Sequence, residues 1–291
     1  MSKLRILSVA ALAFSSPYAL ANPILESDLA SFAVLGSSTV TNVPISTIIG
    51  NIGVWSSGGA NAITGFNSSP GVATSDPQVT GGQVHAGTAL AESAQNQLTT
   101  AISNLNLMGT GTTLISPDLG GLTLTPGVYT VHAGTSNLTG VLTLDGLGNA
   151  NAAWVFQMDS SLITSVGSAV NLINTGSDAG VFWDVRSSAT LGSNTSFEGN
   201  ILALSSISFG SEVSMGCGGA FASTGAVTMI MDSIEGGGCG GGITVPTHGG
   251  TPTFLPFVPV TAVPEPETYT MLIAGLSLIG FMMRRRKNGT A

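Results

Sequence analysis

Charge is what this chain has least of. Charged residues make up 8% of its 291 positions, against roughly 25% in ordinary globular chains. Between residues 22 and 262 there is one basic residue, Arg186, against thirteen acidic ones. A body this acidic cannot neutralise phosphates, which excludes nucleic acid and anionic lipid headgroups as partners. The acidity serves solubility. Catalytic constellations are missing as well: there is no Ser-His-Asp set, no metal-ligand cluster and no phosphate-binding loop. His132 and His248 are isolated, His85 reads as a surface or capping residue, and Arg186 beside Asp184 reads as a local ion pair at a corner. Two cysteines without a histidine partner make a poor zinc site. The expectation is a protein that is not an enzyme and carries no metal or cofactor. No apolar run within 22–262 approaches the roughly 20 residues a membrane-spanning helix needs.

What the chain does have is a period. Apolar runs begin at Val128, Val155, Val181, Ile201 and Ala220, in steps of 27, 26, 20 and 19 residues. Small residues follow each run (Gly134-Thr135, Ser160-Ser161, Ser187-Ser188, Ser205-Ser206, Thr224-Gly225), then a second and a third short strand. Phe32–Leu35, Ser37-Ser38 and Thr39–Asn42 form an outlying copy near the N-terminus. Strand repeats of this length mark a solenoid whose core is buried only by stacking neighbours. Three strands per rung predict a mainly β fold, a triangular parallel β-helix. The 40 glycines suit its many corners, where unusual backbone angles are needed.

The three faces differ. First strands are apolar at consecutive positions, as when both sides are buried. Their cover is supplied by residues 83–107, where Ala91, Ala94, Leu98, Ala101 and Leu105 trace one stripe of an amphipathic helix. Second strands alternate. Val40, Leu138, Ile163, Leu191, Phe209 and Met229 are expected inside, leaving Thr41, Thr139, Thr164, Thr190, Ser208 and Thr228 in an outward column. Third strands expose Thr143, Asn171, Glu198, Ser214 and Glu235, a more acidic surface.

Residues 1–21 read as a secretory signal: Lys3 and Arg5, an apolar stretch Ile6–Phe14, then Ala19-Leu20-Ala21, with cleavage between Ala21 and Asn22. Export permits disulfides, so Cys217 and Cys239 are a candidate pair, two free buried thiols being the alternative. Residues 237–262 read as a Gly/Pro/Thr-rich linker. Residues 263–291 combine Pro264-Glu265-Pro266, an apolar run Tyr269–Met283 and the cluster Arg284-Arg285-Arg286-Lys287. This tail resembles the PEP-CTERM sorting signal of exopolysaccharide-secreting Gram-negative bacteria. The resemblance implies transient inner-membrane insertion by a short transmembrane helix and processing by an exosortase-type enzyme. Release or surface attachment would follow; a simple tail anchor is the alternative.

Residues 24–236 resemble the DUF3494 ice-binding proteins of bacteria and fungi, through Leu29–Asn42, Asp118–Tyr129, Leu142–Asp145, Val181–Leu191, Phe197–Ala203 and Thr224–Thr228. The resemblance implies a discontinuous right-handed β-helix with a long helix alongside and the N-terminal rung inserted beside the C-terminal ones. It also implies ice adsorption as the function, and the column at Thr41, Thr139, Thr164, Thr190, Ser208 and Thr228 is the surface best suited to it. Two departures stand out: Gly218-Gly219 replaces the usual Gly-Arg, and Ser56–Gly82 is too short for a capping subdomain. The alternative is an adhesion or matrix protein binding extracellular polysaccharide, for which Trp55, Trp154 and Trp183 are the available aromatic platforms.

Overall fold

The computed structural model describes residues 21–55, 62–134, 136–247 and 250–260. The expected signal as far as residue 20, His248, the Pro264-Glu265-Pro266 motif and the apolar run after it lie outside the described residues. Within them no helix is long and apolar enough to cross a membrane.

Three largely parallel sheets form the sides of a β-helix, ten-, six- and eight-stranded for the first, second and third strands of each coil. In the first sheet Gly127–Val131, Ala153–Met158, Gly180–Val185, Asn200–Ala203 and Ala220–Ala222 lie in chain order. Phe32–Gly36 and Asn51–Val54 then follow Ala220–Ala222. The N-terminal copy thus docks on the last repeat, with Val34 opposite Ala220 and Leu35 opposite Phe221. The stack extends beyond the repeat pattern at both ends: Asn51–Val54, Ile63–Thr64 and Val79–Thr80 make a further turn that runs into the stretch too short for a subdomain, and Thr112–Thr113 and Thr123–Leu124 extend the first and third sheets ahead of Gly127–Val131.

Register differs from the sequence alignment of the rungs. Val155 faces Phe182 rather than Val181, and Ile201 faces Trp183. This brings Tyr129, Phe156, Trp183, Ile201, Ala220, Val34, Ile52 and Val84 into one inward ladder. Phe156 stacks on Trp183 with ring centroids 4.1 Å apart and planes 14° from parallel, and Tyr129 stacks on Phe156 at 5.8 Å. Such pairs add about 0.5–1.5 kcal/mol each beyond the area they bury. The shift of register follows from this: aligning the rings outweighs aligning the first apolar residue of each run.

Outside the first sheet lie α1 (Ser27–Ala30) and α2 (Ala89–Asn106). The helix stripe is as expected: Ala91, Ala94, Leu98, Ala101 and Leu105 are all buried, packed with Phe32, Leu35, Val155, Phe182, Leu202 and Phe221. The helix proper is shorter than 83–107. Thr88 caps it, its Oγ1 accepting from the Ala91 N–H at 3.2 Å, while Val84–Ala86 is a strand of the first sheet. His85 is therefore buried in that strand against Phe32, not on the surface. Its position under the helix lowers its pKa through burial. Two glutamines tie α2 to the sheet: Gln95 Nε2 donates to the Ala222 carbonyl, and Gln157 Nε2 to that of Leu105.

Residues 237–262 are not simply a linker. Ile243–Pro246 and Thr253–Phe254 form an antiparallel sheet with Ala21–Pro23, and Ile243 is buried among the residues under the helix. The described part of the segment up to Val258 is a strap along the corner between third and first faces. There the Gly241 N–H donates to the Ala179 carbonyl and the Val181 N–H to that of Cys239. The glycines that suggested a linker allow this close approach: a Cβ on Gly241 would fall 2.1 Å from the Asp178 carbonyl oxygen. Cys217 and Cys239 are joined by a disulfide where the strap begins.

The corner between second and third faces needs a left-handed residue on successive rungs. Gly167, Asn194, Glu212 and Met231 occupy it, with φ of 71°, 58°, 61° and 55°. Their N–H groups donate to the Ser193, Ser211, Ile230 and Val43 carbonyls of the next rung.

Candidate functional site

Of the three sides, the first is covered by α1, α2 and the strap. The third presents Asp145, Glu198 and Glu235 among its outward residues, together with exposed Val141, Ile173 and Ile49. Burial pushes the Glu198 carboxyl up, opposed by a hydrogen bond from the Cys217 backbone and reinforced by Glu235. The second side is open and carries no ionisable residue among the described residues of its strands.

Strand pairing sets the second face's outward ladder as Ile163, Thr190, Ser208, Thr228, Thr41 and Thr64, each opposite the next. Four of the six expected residues, Thr41, Thr190, Ser208 and Thr228, are thus in register on adjacent rungs. Inward neighbours Leu162, Ala189, Ile207, Val227, Val40 and Ile63 are buried and hold the strands flat from behind. Just before each of these strands comes a row of small, partly or fully exposed residues, Ser188, Ser206, Ala226 and Thr39. It follows the same hydrogen-bond ladder, the Ile207 N–H donating to the Ala226 carbonyl and the Val227 N–H to that of Thr39.

Two expected members are elsewhere. Thr164 is buried, 4% exposed. Leu162, opposite Ala189, points inward and Ile163 outward, the reverse of the expected phase. Thr164 then turns in at the corner, where its hydroxyl meets that of Thr195 at 3.1 Å and accepts the Gly192 N–H at 2.9 Å. Thr139 is exposed but off the column. Its hydroxyl and N–H both donate to the Asp118 carboxylate, which these bonds and that of the Gly120 N–H hold below its usual pKa despite the opposing effect of burial. Thr64 was missed because Ile63–Thr64 is a strand of two residues, too short to show alternation.

The other candidates resolve as follows. Trp154 and Trp183 are fully buried and Trp55 is half-buried against the residues under the helix, which leaves no flat aromatic platform among these three. Asp184 and Arg186 form the expected pair at 3.8 Å, with Asp184 buried and Arg186 half-exposed. Gly218 has φ 98°, and a Cβ on Gly219 would fall 2.3 Å from the Phe221 ring, so the Phe221 side chain fills the space an arginine stem would need. Among the described residues the one cluster with metal-ligand geometry, Glu198, Cys217 and Cys239, has its two sulfurs in the disulfide.

The fold is thus a triangular solenoid with one helix-covered side, one acidic side and one Thr/Ser side whose described strands carry no ionisable residue. The chain belongs to the ice-binding-like family, whose model matches residues 34–235; a PEP-CTERM protein-sorting motif matches residues 262–287. It is 39% identical to an ice-binding protein of Nostoc sp. (strain HG1) over 88% of this chain and 84% of the relative. The fold matches the crystal structure of an ice-binding protein from the Antarctic ascomycete Antarctomyces psychrotrophicus with a TM-score of 0.62 at 29% identity, covering 74% and 98% of the two chains. It also matches the DUF3494 domain of Shewanella frigidimarina ice-binding protein 1, TM-score 0.63 at 25% identity, covering 74% and 98%. The sorting motif marks the protein as exported.

Proposed function

We propose that the protein is an exported ice-binding protein that adsorbs to ice through the second face. The observation that carries the reading is the in-register ladder Thr190, Ser208, Thr228, Thr41 and Thr64 on an uncharged side. Stacked strands repeat every roughly 4.8 Å, a rigid spacing against which water can order as it does in a crystal lattice. Each methyl excludes disordered water and each hydroxyl holds an ordered one. Single contacts are weak, and adsorption arises because many form together on a surface already rigid, with little entropy lost. The names of the relatives support ice as the ligand. The sorting motif supports an exosortase-type enzyme as processing partner, after transient membrane insertion of the C-terminal run in a Gram-negative cell. The signal at 1–21, the β-helix domain at 22–236 and the sorting segment at 263–291 remain the proposed division of the chain.

Ice-affinity partition of the full chain tests the function directly: enrichment in a slowly grown ice hemisphere is expected. Exclusion from the ice, with retention on exopolysaccharide, would instead establish the adhesion reading.

A further inference from the structure

The second face is not equally wide along the stack, because the next outward position after the ladder residue is filled differently on each rung. After Thr190 it is Gly192, where an added Cβ would fall 2.6 Å from the Ser165 backbone, so the neighbouring corner leaves no room for a side chain. After Ser208 the strand bulges and Ser211 comes opposite Ile230, its hydroxyl donating to that of Ser193 at 3.2 Å. After Thr228 and Thr41 come Ile230 and Val43, opposite each other. Both strands alternate about buried residues, Val227 and Met229 on one, Val40 and Asn42 on the other. Thr228, Ile230, Thr41 and Val43 therefore all point outward as one block. Val43 is 49% exposed, and at the adjoining corner Ile45 and Met231 are exposed as well, the Met231 N–H donating to the Val43 carbonyl. Apolar side chains gathered in solvent mark a surface that meets something.

We propose that Ile230 and Val43 are ice-contact residues, a further column of the binding surface present only where the N-terminal coil docks on the last repeat. This rests on the assignment of the second face to ice. Neighbouring strands lie roughly 4.8 Å apart and next-but-one residues along a strand roughly 6.6 Å apart. The block thus carries the ladder's repeat into a second direction, as a crystal plane requires. All four of its side chains are β-branched and held to few rotamers, so little freedom is lost when ordered water settles on them. Their methyls exclude disordered water, and the two threonines add hydroxyls that hold ordered water. Gly192 and Ser211, in the same column on other rungs, supply neither the bulk nor the stiffness. Since Thr41 and Val43 belong to the first coil and Thr228 and Ile230 to the last repeat, both ends of the β-helix build this part of the surface.

The test is Val43→Ser and Ile230→Ser, singly and together, in the full chain. Ile173→Ser, which removes a similarly exposed apolar side chain from the third face, is the control. Thermal hysteresis and ice-affinity partition are expected to fall about threefold in each single variant and further in the double, and to keep the parental level in the control. The melting temperature of Val43→Ser should match the parent's, so that its loss is read on a folded protein. Val43→Thr keeps the branch and one methyl and should retain most of the activity; a loss as deep as with serine would overturn the role given to the stiff branch. Full activity in the double serine variant overturns the proposal. If Thr190→Tyr is then fully active too, the assignment of the second face to ice falls with it, whereas loss in Thr190→Tyr alone leaves that assignment standing. A parental dimer seen by light scattering, dissolved by Val43→Ser with ice activity intact, would make the block a self-association surface and overturn the proposal as well.

Discussion

Gln157 and Asp184 face each other on adjacent strands beneath the end of α2, and only Gln157 is bonded to the helix. Its amide reaches the Leu105 carbonyl, whereas Asp184 Oδ2 is buried without a hydrogen-bond partner. Burial raises the Asp184 carboxyl from 3.8 to about 6, although Arg186 pulls it down. The folded state therefore binds this proton more tightly than the unfolded chain. The resulting stabilisation is complete below about pH 4 and lost as pH rises through 6. Asp184→Asn should stabilise the protein by on the order of 2 kcal/mol at pH 8 and lessen the fall of its melting temperature between pH 4.5 and 8, the remainder being due to Asp232. A variant no more stable than the parent at pH 8 would show that the carboxylate is not a liability there.

Asp232 makes the opposite case from the same direction of shift. Its carboxyl is also raised to about 6 by burial, but both oxygens are used, accepting the Val213 and Ile230 N–H groups at 2.8 and 2.7 Å. Asparagine offers one acceptor in place of two, so one buried N–H would be orphaned. Asp232→Asn is expected to cost about 1–3 kcal/mol in denaturant unfolding. An equally stable variant would mean that solvent reaches this corner.

On the second face, Thr190→Tyr and Thr228→Tyr each put a ring into the middle of the ladder. Thr190 is exposed and Thr228 half-buried, both with outward side chains, so stability should change by no more than about 0.5 kcal/mol at Thr190, while thermal hysteresis and ice-affinity partition should fall several-fold in both variants. Ser214→Tyr on the third face is the control, and ice activity should survive it. Loss of activity in the control with retention in the other two would move the binding surface to the third face.

The left-handed corner offers a stabilising change. Met231 holds φ 55° with its side chain half in solvent, a conformation that costs an ordinary residue about 1–2 kcal/mol and asparagine less. Met231→Asn should raise stability by roughly 0.5–1 kcal/mol, read from the midpoint of chemical unfolding. A lower midpoint would mean that the Met231 side chain makes contacts that outweigh the strain.

The disulfide should control the strap more than the coils. Replacing Cys217 and Cys239 by serine is expected to cost about 3 kcal/mol, and to open residues 239–258 to thermolysin before the rungs are cut. Simultaneous digestion of strap and rungs would show that the two unfold together.

Much of this architecture could be read from residue order because the solenoid repeats it. The Val128–Val131, Val155–Met158 and Ile201–Leu204 runs marked the first sheet, and steps of three and four from Ala91 to Leu105 marked the helix. What escaped has physical reasons. Leu162-Ile163-Thr164 can alternate in either phase, and the choice is made by pairing with Ala189 on another rung. Ile63–Thr64 and Val79–Thr80 are too short to carry a pattern. The strap looked like a spacer because its glycines are there for close packing, a demand set by neighbours distant in sequence. On the proposed site, alternation placed Thr41, Thr190, Ser208 and Thr228 on one side, but the column's ends depended on contacts that local pattern does not encode.

The docking of Phe32–Gly36 on Ala220–Ala222 also constrains biogenesis. The first coil to leave the ribosome pairs with the Asn51–Val54 coil that follows it, but its other edge stays open until the last repeat emerges, so the N-terminal coils cannot join the stack while synthesis or translocation is under way. Closing so long a loop is slow, and that delay suits a polypeptide that must stay threadable through a secretion channel before it compacts on the far side.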